Sequence, residues 1–225
     1  MKFGRIVGLG LALLGCAAAH AQLSIYGTYT ASRHTGLTCL DSQNECSGTE
    51  NNAAGDHSSR INLTGGWGGV SYDWKKYGPA MIGFDLRAGE GHANRSATSS
   101  AGGAGATASQ NVLAGVKASF HTPIHALKPY AQVSAGWARS NLTEPFGTTT
   151  VSPTSDSPVP PAKYDNFFQV EGFVGADIKI FPVLDLRIIE LGIGNMNRLG
   201  NGSGASSVGV MSAGVGVVFH FPSAH

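Results

Sequence analysis

The stretch that most constrains this chain is Val208 to Phe221, VGVMSAGVGVVFHF. Counting back in twos from Phe221 gives Phe219, Val217, Val215, Ala213 and Met211, all apolar. The interleaved set, His220, Val218, Gly216, Gly214, Ser212 and Val210, is small or polar in most places. Side chains of a strand alternate between two faces, so this period of two predicts a strand with one apolar and one mixed face. The segment is also long enough to cross a bilayer core, which takes about 9–11 tilted strand residues.

Seven further segments follow the same rule. Leu23 to Arg33 sets Leu23, Ile25, Gly27, Tyr29 and Ala31 against Ser24, Tyr26, Thr28, Thr30 and Ser32. Ile61 to Tyr77 places Val70, Tyr72 and Trp74 on one face, and Gly78-Pro79 is a turn signal before Ala80 to Gly89. The fourth and fifth strands are expected at Val112 to His121 and Tyr130 to Asn141, and the sixth at Phe168 to Ile180. In Leu184 to Gly194 the phase breaks at Ile188-Ile189. A β-bulge there would keep Asp185, Arg187 and Glu190 on one polar face.

The connections alternate in length. His34 to Ser59, His92 to Gln110, Leu142 to Asn166 and Asn195 to Ser206 are long and polar, while Gly78-Pro79, Pro123 to Leu127 and Phe181-Pro182-Val183 are short. About eight strands, with long loops at one end and short turns at the other, match the layout of a membrane barrel. A soluble up-and-down barrel would turn its apolar face inward around a ligand. The second face here carries charges of both signs, which suits a lumen or solvent. The expected fold class is therefore all-β: an eight-stranded antiparallel up-and-down transmembrane β-barrel.

Composition fits this reading. Of 225 residues, 32 are glycine and only 13% are charged, with a net charge of +1. That balance offers no field for nucleic acid, and no nucleic-acid partner is expected. Lys2 and Arg5, the apolar Ile6 to Leu14 and the Ala19-His20-Ala21 site read as an export signal over residues 1–21, leaving 22–225 as the barrel domain. Leu13-Leu14-Gly15-Cys16 resembles a lipobox, in which case Cys16 would be lipidated. Beyond the signal, Cys39 and Cys46 form an even pair in an exported chain and read as a disulfide.

Leu23 to Phe221 resembles the small outer-membrane β-barrels of the outer-membrane protein A/X type, through its strand rhythm, short turns and aromatic-ended last strand. The resemblance implies recognition of that strand by the barrel-assembly machinery, with Val217, Phe219 and Phe221 carrying the signal, and outer-membrane lipids as surroundings. Pro222 to His225 extends past the point where such chains commonly end.

With the apolar faces outward, Asp73, Asp85, Glu171, Asp177, Asp185 and Glu190 would share the lumen with Arg87, Lys117, Lys179 and Arg187. Eight strands leave an interior just wide enough for side chains, so these charges are expected to pair and plug it. Tyr29, Tyr72, Trp74, Tyr77, Phe120, Tyr130, Trp137, Phe168, Phe219 and Phe221 lie near strand ends and would form interfacial girdles. No Gly-x-Ser-x-Gly elbow occurs, and Gly65-Gly66-Trp67-Gly68-Gly69 lacks the strand–loop–helix context of a phosphate loop. His121 and His220 fall near the short-turn end. The chain is accordingly read as a non-enzyme without cofactor or metal, in a structural role or contacting surface ligands through its long loops. The alternatives are a narrow pore and a lipid-modifying enzyme.

Overall fold

The computed structural model describes residues 22–36, 60–92, 108–123, 126–140, 164–200 and 206–221. The expected leader with Cys16, the Cys39–Cys46 pair, the tail after Phe221 and most of the long-loop residues lie outside this set.

The described residues form a closed barrel in which every strand pairs antiparallel with its sequence neighbours. The strands are β1 (Gln22–Thr35), β2 (Arg60–Tyr77), β3 (Ala80–His92), β4 (Ala108–Phe120), β5 (Leu127–Ser140), β6 (Asp165–Phe181), β7 (Leu184–Arg198) and β8 (Ser207–His220). Closure comes from β1 and β8, whose register runs from Ser24 opposite His220 to Thr35 opposite Gly209. No strand edge is left unpaired, as a barrel in lipid requires.

Alternation is resolved into orientation. Ile25, Tyr29, Leu86, Val133, Val174 and Val215 point outward and are exposed, while Tyr26, Asp85, Arg87, Gln132 and Glu171 point inward and are buried. The bulge falls where the phase break puts it. Asp177 pairs with Arg187 and Ala176 with Ile189, skipping Ile188. Ile188 and Ile189 both face out, and Asp185, Arg187 and Glu190 all face in.

At the short-turn end, Gly78 adopts φ 57°, a left-handed conformation that glycine takes without Cβ strain, and turns β2 into β3. Backbone bonds lace this end together: His121 N–H donates to Pro79 O at 2.9 Å and His220 N–H to Val183 O at 2.8 Å. At the long-loop end several strands run further than hydropathy suggests, β4 starting at Ala108 and β7 reaching Arg198. Here the pattern is inverted. Leu63, Ala138, Phe167, Met196, Val208 and Val210 face inward as a dry cluster. Asn62, Thr64, Arg139, Asn166, Asn197 and Ser207 face outward. A collar with an ordinary apolar core thus sits on a belt that is polar inside and apolar outside.

Candidate functional site: the charged lumen

Two inward arginines organise the interior. Asp85 and Arg87 stand two residues apart on β3, on one face. Arg87 Nε donates to Asp85 Oδ1 at 3.0 Å, Nη1 to Glu190 Oε1 at 3.1 Å and Nη2 to Gln132 Oε1 at 2.9 Å. Arg187 Nε donates to Asp177 Oδ1 at 2.9 Å and Nη1 to Glu190 Oε2 at 2.9 Å. Glu190 therefore lies between two guanidinium groups. Both arginines are 1% exposed.

Aromatic groups complete the network. Arg87 lies 4.0 Å from the Phe173 ring centre, and Arg187 lies 4.7 Å and 4.6 Å from the Tyr26 and Tyr130 rings. The tyrosine hydroxyls donate onward, Tyr26 to Asp85 Oδ1 at 3.0 Å and Tyr130 to Glu190 Oε2 at 2.6 Å. Each charge of this network is thus matched by opposite charge and hydrogen bonds. That is the condition under which such groups tolerate removal from water. The bonds join β1, β3, β5, β6 and β7 across the lumen.

A second group lies at the short-turn mouth. Lys128 Nζ donates to Asp185 Oδ2 at 2.7 Å. His220 bridges the seam, with Nδ1 2.7 Å from Ser24 Oγ and Nε2 2.7 Å from Asp185 Oδ2. Serine, histidine and aspartate in a line are the parts of an activated nucleophile. Here Ser24 is 2% exposed and lies inside the wall, and Lys128 shares the aspartate. The arrangement fastens β1 and β7 to the closing strand.

The remaining charges divide. Lys117 Nζ donates to Ser71 Oγ at 3.2 Å. Glu171 accepts from Ser212 Oγ at 2.8 Å and Gln169 Nε2 at 2.7 Å. Asp73 is half-buried at the β2 bulge, outside the arginine network. Lys179 corrects the expectation of a lumen charge: it has the parity of Asp177 but lies at the open mouth beside the 182–183 turn, and it is exposed. Tyr130 corrects the expected girdle. It is 4% exposed and sits inside, because it shares parity with Gln132 rather than with Ala131 and Val133. Tyr29, Trp74, Tyr77, Phe120, Trp137, Phe168, Phe219 and Phe221 are exposed outward.

Sequence reasoning placed Tyr26 and His220 on the inward faces of their strands but missed Trp67, Lys128, Gln132 and Phe173 as interior groups. Parity with neighbouring lumen residues, Phe173 with Glu171 and Asp177 for instance, is the signal that could have found them. Cys39 and Cys46 lie outside the described residues.

No known family profile matches the chain, and no curated protein does. Solved structures match its fold. Neisserial surface protein A aligns with 90% of this chain and 99% of its own at 11% identity, with a TM-score of 0.50. Ail, the attachment invasion locus protein of Yersinia pestis, covers 90% of this chain and 99% of its own at 10% identity and a TM-score of 0.48. The outer membrane enzyme PagL covers 87% and 98% at 12% identity, with a TM-score of 0.42. The chain has the closed eight-stranded fold found in small outer-membrane barrels.

Proposed function

We propose that the chain is an integral outer-membrane barrel with a plugged lumen, serving a structural or surface-interaction role through its long-loop end. The observation that carries this reading is the pairing of an apolar outer belt with an interior crossed by Arg87, Arg187, Asp85, Asp177 and Glu190. Water cannot cover such a belt favourably, and lipid can. In this orientation the short turns lie in the periplasm, and the collar and long loops stand on the cell surface, where binding residues on rigid scaffolds concentrate.

Assembly through the last strand belongs to the same proposal. Val217, Phe219 and Phe221 share the outward face, and the Phe219 and Phe221 rings meet edge-on with centroids 5.4 Å apart. The leader over 1–21, the disulfide and a surface ligand are parts of the proposal that rest on the sequence alone. The narrow-pore alternative is opposed by the paired guanidinium groups, and the enzyme alternative by the buried Ser24. The test is conductance of the purified protein in planar bilayers. No steady current is expected. Steady open-channel currents abolished by Arg87→Ala would overturn the plugged reading in favour of a pore.

A further inference from the structure

One buried carboxylate stands apart from the network. Glu171 is 1% exposed, and its oxygens accept only from Gln169 and Ser212, with no ion pair to it among the described residues. A buried anion without a cationic partner is costly and ordinarily finds one, a bound metal ion included. Glu171 lines a cavity of about 30 Å³ between the arginine layer and the apolar collar, shared with Thr30, His34, Trp67, Gln169 and Ser212.

Three polar atoms on this cavity's wall are buried and have no hydrogen-bond partner among the described residues: Thr30 Oγ1, His34 Nδ1 and Gln169 Oε1. Gln169 is 1%, His34 2% and Thr30 7% exposed. Two are oxygens, and the third is an imidazole nitrogen, an acceptor in one of the two neutral tautomers. Gln169 spends its donor on Glu171, so its carbonyl oxygen remains available to the cavity. Glycines leave room for these side chains in their observed positions. A Cβ on Gly192 would run into Ser212 Oγ and Glu171 Oε1, and one on Gly214 would press on Thr30 Oγ1.

We propose that this chamber binds a monovalent metal cation, held by the Glu171 carboxylate with the Gln169 and Thr30 oxygens. Hard oxygen donors select a hard cation. Glu90 also borders the cavity but is exposed and engaged by His92 and Gln110, so Glu171 is the carboxylate buried within, and one carboxylate among neutral donors balances one positive charge. A volume of this order admits a small ion with a water or two. The cation would supply the charge that Arg87 and Arg187 give to the acids below it.

The test is the heat-unfolding midpoint of the refolded protein in detergent, read from its heat-modifiable gel band. Potassium, sodium and choline chloride are compared at equal ionic strength. A band that never shifts with heating would refute the barrel itself, separately from the cation. At ten times the half-saturating potassium or sodium concentration, the midpoint is expected to rise by about 3–6 °C over choline. Glu171→Gln, which keeps the shape, is expected to remove the difference between salts. Thr30→Val, which removes one oxygen, is expected to raise the half-saturating concentration and keeps the test open if the first variant does not fold. Equal midpoints in all three salts would mean a chamber holding water alone and would overturn the proposal. So would a Glu171→Gln protein that retains the full difference.

Discussion

The belt and the collar are built by the same strands on opposite terms. In the belt, Val133 is 64% exposed to the outside while Arg87, inside, is 1% exposed. A few residues further along, Phe167 and Met196 are fully buried inside and Arg139 and Asn197 face out. Period-two alternation is identical in both regions, yet the polar set has changed sides. What differs is the medium outside, since apolar surface is favoured only where water is absent. In the proposed membrane setting, the switch marks the height at which the barrel leaves lipid and enters water. It also explains two kinds of interior: a belt held by directed charge pairs and a collar held mainly by packing, with the Arg198–Asp165 ion pair beside it.

Substitutions can break this contrast. The largest effect is expected from Arg87→Ala, which strands Asp85 and Glu190. Removing one partner of a buried pair costs about 3–5 kcal/mol. Arg139→Ala removes an exposed collar arginine lying 5.0 Å from the Tyr164 ring, and is expected to cost about 1 kcal/mol or less. Reversible urea unfolding in lipid vesicles compares the two, and equal losses would dissolve the distinction between regions. A smaller but sharper effect comes from adding charge outside. Val133→Arg, at mid-belt, is expected to cost about 2–4 kcal/mol in the same assay, and Asn197→Arg, on the collar, about 0–1 kcal/mol.

Much of the belt was legible in the sequence because hydropathy alternates along most of its strands. The break at Ile188-Ile189 was readable for the same reason: two adjacent apolar residues can share the lipid face only through a bulge. The collar was harder. Its strands run through Ala108-Ser109-Gln110-Asn111 and Asn195 to Arg198, where polar residues face water and the hydropathy signal fades or inverts. The lumen's membership followed largely from parity, but its pairings did not. That Glu190 lies between Arg87 and Arg187, or that His220 joins Ser24 to Asp185, depends on inter-strand register, which local spacing does not encode. Tyr130 was misassigned because its place near a strand end suggested a girdle, while parity placed it beside Gln132. Lys179 shows the converse, since correct parity counts for little at an open mouth.

The central claim is that the belt faces lipid with an interior closed to it, and the three tryptophans test it directly. Trp74 and Trp137 face outward at 58% and 40% exposure, and Trp67 lies in the lumen at 8%. Single-tryptophan variants, with the other two replaced by phenylalanine, can be refolded into vesicles of brominated lipid and their fluorescence quenching measured. Strong quenching of Trp74 and Trp137 with little quenching of Trp67 is the result predicted. Quenching of Trp67 with Trp74 and Trp137 unaffected would contradict it.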